Sequence, residues 1–115
     1  MRIDGEIQFT EIKASFSGAT VIVRVEDCGR ADASAVVVAE QKIADVSRAP
    51  GERESVPFSI DYQASGDAAN YSLRAHVDVD SSGEVSPGDY VSTQSYPLAG
   101  IDPPARLTVE VEPVG

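Results

Sequence analysis

With 115 residues, the chain has the length of one ordinary domain and leaves no room for a second independent core. Nine Lys and Arg stand against 19 Asp and Glu, a formal charge of −10, so the average surface repels nucleic-acid backbones and anionic lipid heads and attracts cations and basic partners. Cys28 is the single cysteine and His76 the single histidine, which excludes an internal disulfide and a thiolate–imidazole metal cluster.

The first residues carry charges at Arg2, Asp4, Glu6, Glu11 and Lys13 and lack the apolar stretch of a signal peptide. No apolar run approaches the roughly 20 residues that cross a bilayer as a helix. From there on, short β-branched runs with period two recur between clusters of Gly, Pro, Ser and Asp, the cadence of an all-β domain.

Residues 5–10 form the first expected strand. Residues 19–27 form the clearest one, with Val21, Val23 and Val25 on one face, Thr20, Arg24 and Glu26 on the other, and Ile22 as the apolar exception. A short turn or 3₁₀ segment over 30–34 leads into a third strand, 36–43, in which the triplet Val36, Val37, Val38 favours extended backbone. A loop over 45–53 follows, turned by Pro50-Gly51. Strand 55–62 contains Pro57, which lacks an N–H and therefore places it at a sheet edge. In residues 71–79, Tyr71, Leu73, Ala75, Val77 and Val79 share one face and Ser72, Arg74, His76 and Asp78 the other. Strands over 90–96 and 106–111 complete a set of seven, predicting a single-domain two-layer β-sandwich of mostly antiparallel strands over 1–115.

The segment that carries chemistry is DVDSSGEVSPGD, residues 78–89. Its offsets match a twelve-position calcium loop: Asp78 and Asp80 at positions one and three, Ser82 at five, Gly83 at six, the Glu84 carbonyl at seven, Val85 at eight, Ser86 at nine and Asp89 at twelve. Calcium needs six to eight hard oxygens in a small volume, and a tightly curled chain with a glycine at the bend can supply them from one segment. Asp89 is shorter than the glutamate that closes an EF-hand loop, and the flanks read as strands. The same residues also suit a polar β-hairpin whose Asp, Ser and Gly serve the turn. The expected metal site is therefore Asp78, Asp80, Ser82, Glu84, Ser86 and Asp89, with calcium as the cation and Val85 packing the loop onto the domain.

Catalytic readings are weaker. His76 lies in mid-strand on the polar face, where an exposed histidine is expected, and Cys28 ends a strand with no histidine near it in sequence. The acids of 78–89 have no aromatic sugar platform around them, and the chain contains no Trp.

The phrases DCGRADASA (27–35), VAEQKI (38–43), VPFSIDY (56–62), YSLRAHV (71–77) and SYPL (95–98) resemble the YbaY and YscW type of secretion pilot lipoprotein domains. The resemblance covers most of the chain from Ala19 onward. It implies a small β-sandwich that is not an enzyme, works in the bacterial periplasm or cell envelope, and acts as a chaperone-like binding module for a protein, as pilot members do for an outer-membrane secretin. The expected domain is monomeric and takes a protein or peptide partner along the edge strand 55–62. A calcium-dependent adhesion or ligand-binding module and a small hydrolase are the competing readings.

Overall fold

The computed structural model describes residues 2–12, 14–27, 36–52, 54–62, 71–80, 85, 87–93, 96–97 and 105–114. These form β1 (Arg2–Phe9), β2 (Phe16–Asp27), β3 (Val36–Arg48), β4 (Val56–Asp61), β5 (Tyr71–Asp78), β6 (Tyr90–Ser92), β7 (Tyr96–Pro97) and β8 (Ala105–Pro113). The all-β class stands. Its two layers are halves of one curled sheet in the order β3-β2-β5-β6-β8-β1-β4, with β7 pairing β5 beside β6. The expected 3₁₀ segment and Cys28 lie outside the described residues.

The alternation read from the sequence sets the inner face. Ile3 and Ile7 of β1, Val21, Val23 and Val25 of β2, Phe58 and Ile60 of β4, Leu73, Ala75 and Val77 of β5, and Val109 and Val111 of β8 are buried together in one core. Curling is built into the β2–β3 ribbon. Its register slips between Phe16 and Ala19, Ala19 and Val21, and Val25 and Glu26, and each slip bends the pair and adds twist. Gly18 and Asp45 take left-handed backbone angles, φ 68° and 59°, at two of these irregularities. The extra residue at Asp45 lets β3 run on to Arg48, where the sequence alone suggested that the strand had ended. The reversal is then made by Ala49 to Glu52: the Glu52 N–H donates to the Ala49 carbonyl at 3.0 Å, and Gly51 has φ 91° after Pro50.

β1 joins the two halves of the sheet. It lies parallel to β8 and antiparallel to β4, so that Gly5 faces Leu107 on one side and Phe58 on the other. A Cβ at Gly5 would collide with the Leu107 carbonyl oxygen and stand 2.7 Å from the Phe58 ring, so the glycine is required by the close approach of backbone and ring.

The outer strands β3 and β4 meet at a seam made by side chains. The Ser59 N–H of β4 donates to Gln41 Oε1 of β3 at 3.0 Å, and Arg48 donates to the carbonyls of Glu54 and Ser55. Because the Ser59 amide points away from β1, Pro57, two residues earlier, faces the same open side and removes no ladder bond. The edge position expected from Pro57 is therefore observed, with its exposure limited by β3.

Gly5→Ala is expected to lower stability by about 3 kcal/mol, at the upper end for forced overpacking; urea denaturation checks it, and a loss near zero would show that the Gly5 contact relaxes freely. Gln41→Ala is expected to cost about 1 kcal/mol, the net value of one hydrogen bond. It should also speed hydrogen exchange at Ser59 while leaving the core amide of Val23 unchanged, as NMR exchange would show.

Candidate functional site

The β5–β6 hairpin gathers the polar groups on the outer face of the sheet. His76 pairs with Val91 and Val77 with Tyr90, and one further step of the same register sets Asp78 opposite Asp89. Positions one and twelve of the calcium-like segment are thus neighbours across a hairpin. Asp89 is held there by its backbone: Gly88, with φ 98°, donates its N–H to the Val114 carbonyl at 3.2 Å, and Val114 donates to the Asp89 carbonyl at 2.8 Å.

His76, Asp78 and Asp89 each bring one potential ligand atom into a group whose members all lie within 4.8 Å of one another. Asp89 is fully buried and Asp78 nearly so, while 12% of the His76 side chain is exposed. His76 Nε2 lies 2.9 Å from Asp89 Oδ2, and the Val79 N–H donates to Asp89 Oδ1 at 2.9 Å. Like charges placed opposite each other across a strand pair repel; the histidine ring and the backbone amide provide compensating hydrogen bonds to one of them.

This arrangement corrects the expectation of an exposed histidine. The polar alternation of β5 does place His76 on the outer face, but the hairpin returns Asp89 over that face, and Ile22 and Val91 flank the ring from the neighbouring strands. The same covering explains why Ile22, the apolar exception of β2, is buried. Of the expected metal ligands, Asp78 and Asp89 come together and Asp80 is exposed beside them; Ser82, Glu84 and Ser86 lie outside the described residues. Val85 lines a cavity of about 120 Å³ with Ile22, His76 and Val91 and is itself largely exposed. His76 could have been found from sequence by pairing 78 with 89 and noting the ring two residues earlier on the same face.

Beyond His76 the outer face carries ion pairs. Arg24 and Arg74 stand directly opposite each other on β2 and β5, and each has a carboxylate: Glu40 Oε2 lies 2.7 Å from Arg24 Nε, and Glu26 Oε1 lies 3.3 Å from Arg74 Nε. The hydrogen bond from Arg24 holds the Glu40 carboxyl below its usual range against the opposing effect of desolvation.

A second feature lies at the end of the sheet where the hairpin meets the C-terminal strand. An apolar groove of about 330 Å³ is walled by Ala14, Phe16, Val79, Pro87, Tyr90 and Val114. Phe9, Phe16 and Tyr90 support it as an aromatic group, with Phe9 and Tyr90 edge to face at 5.2 Å.

The fold and the open apolar groove define a small, curled all-β domain. Residues 1–97 match the family of type III secretion system lipoprotein chaperones (YscW), and the chain belongs to it. The fold is similar to that of an alternative pilotin from the type II secretion system of Vibrio cholerae, with a TM-score of 0.71 and 25% sequence identity over 100% of this chain and 97% of that one. Comparison with the curated proteins finds no match. Among the described residues, no helix is long and apolar enough to cross a membrane.

Asp89→Ala is expected to lower stability by about 2–4 kcal/mol, because the Val79 N–H and the His76 ring would lose their acceptor in a buried place. Asp89→Asn, which keeps the shape and one carbonyl acceptor, should lose less. Urea denaturation of both variants tests this, and equal, negligible losses would show that these bonds do not hold the hairpin.

Proposed function

We propose that this chain is a non-enzymatic, pilotin-type chaperone that binds a secretin subunit of a bacterial secretion system. Family membership over residues 1–97 carries the reading. The structural likeness to a type II pilotin along the whole chain supports it. The groove beside Phe16 and Tyr90 would receive the partner. Apolar side chains of a partner segment fill it, and Lys or Arg on that segment answer the charge of −10 and the exposed acids Asp80 and Glu112, which adjoin the groove residues Val79 and Pro113.

Addition of a partner strand along β4 is the second route, because β4 ends the sheet and pairs on one side only. It requires Ser59 to exchange its bond with Gln41 for one to the partner.

The test is co-purification with a secretin subunit from the source organism, followed by affinity measurement with variants. Ala14→Lys combined with Val114→Lys puts positive charge at the groove, against the Lys or Arg of the partner segment, and should weaken binding at least about tenfold, roughly 1.4 kcal/mol, without lowering the melting temperature. Binding unaffected by these changes but strengthened by Gln41→Ala would assign the partner to the β4 edge. Failure of every secretin subunit to bind would refute the pilotin reading.

A further inference from the structure

We propose that His76, Asp78 and Asp89 bind a single divalent cation of borderline character, with Zn²⁺ as the best-matched ion. None of the three lines the groove, and the inference stands whichever partner the groove receives.

Three observations support it. The three potential ligand atoms lie within 4.8 Å of one another on adjoining strands, so that closure of the carboxylates onto the ion brings them to the separation of ligands on one zinc. His76 Nε2 and Asp89 Oδ2 are 2.9 Å apart, and two zinc bonds of about 2.1 Å meeting at 90–110° hold their donors about 3.0–3.4 Å apart, so a small opening of the hydrogen bond admits the metal. Independently, the spacing of 78–89 follows a cation-binding loop whose first and last ligands are Asp78 and Asp89.

Donor chemistry selects the kind of ion. An imidazole nitrogen with two carboxylates suits zinc and its neighbours, whereas calcium takes six to eight oxygens at 2.3–2.6 Å. Among the described residues the hairpin brings together two carboxylates and a nitrogen, with the third carboxylate, Asp80, exposed. On binding, Nε2 gives its lone pair to the metal, and any proton shared between Nε2 and Asp89 Oδ2 is released to solvent. The Val79 N–H stays on Asp89 Oδ1 and fixes the direction of that carboxylate. The calcium loop expected from the spacing uses Asp78 and Asp89 together with Asp80, Ser82, Glu84 and Ser86. The two sites part at His76.

The test uses the full-length, untagged chain, stripped with chelator and titrated with zinc chloride. Its single histidine gives one set of imidazole signals in nitrogen-15 NMR. Zinc is expected to bind one to one, to shift the Nε2 signal, and to raise the melting temperature by about 5 °C near saturation. His76→Gln and, separately, Asp78→Asn should each weaken zinc at least about tenfold, consistent with the loss of one ligand. Should the imidazole signals of the unaltered protein stay in place up to about 1 mM zinc, well above the range of a useful site, the proposal fails whatever the variants do. Undiminished zinc binding in a folded His76→Gln variant also overturns it. A calcium response that persists in His76→Gln, with no zinc effect on the ring, would overturn it in favour of the oxygen-only loop.

Discussion

The parallel pairing of β1 with β8 is the contact on which the rest of the structure depends. Among the described residues, β1 carries the backbone ladder that connects the β3-β2-β5-β6-β8 part of the sheet to β4. It can occupy that place because Gly5 has no side chain where the Leu107 carbonyl and the Phe58 ring close in. Once β1 is seated, Ile3 and Ile7 enter the core beside Val109 and Val111, and β4 is held against β1 with its other side turned toward β3. Hydrophobic burial drives this closure, since an open sheet would leave one apolar face in water. The bulges in β2 and β3 give the curvature that lets the two ends meet.

The same curl divides the surface into a closed seam and an open end. The seam between β3 and β4 is joined through Gln41 and Arg48, so the sheet edges, usually the places where foreign strands attach, screen each other. What remains open is the end of the sheet at Phe16, Tyr90 and Val114, an apolar groove on a strongly acidic protein. An apolar lining and a net negative charge thus meet at the open end of a chain that belongs to the lipoprotein chaperone family.

The β5–β6 hairpin links the outer face to this groove. Asp89 is bonded through its side chain to His76 and the Val79 amide and through its backbone to Val114, while Pro87 and Tyr90 on either side of it wall the groove. Whatever stabilises the hairpin therefore also shapes one wall of the groove. A buried aspartate in this position is favourable only while its partners are in place, which makes the hairpin a sensitive part of an otherwise apolar assembly.

Several features were legible in the sequence because they depend on local chemistry. The alternation of Val21, Val23 and Val25 and of Tyr71, Leu73, Ala75 and Val77 places each set on the inner face by the period of a strand alone. Pro57 marked the edge by its missing N–H, and the acids and glycine of 78–89 marked the hairpin as the polar feature with chemical potential. The remaining features needed tertiary structure. The continuation of β3 past Asp45 depends on a bulge held open by pairing with β2, and the splitting of the expected strand 90–96 into β6 and β7 depends on where β5 ends its ladder with each. The sequence placed His76 on the polar face, but its burial against Asp89 follows from the hairpin register and from Ile22 and Val91 on adjoining strands. The parallel approach of β1 to β8 joins opposite ends of the chain. Period and propensity describe which way a side chain points from its own strand; which strand arrives beside it is decided by packing among residues far apart in sequence.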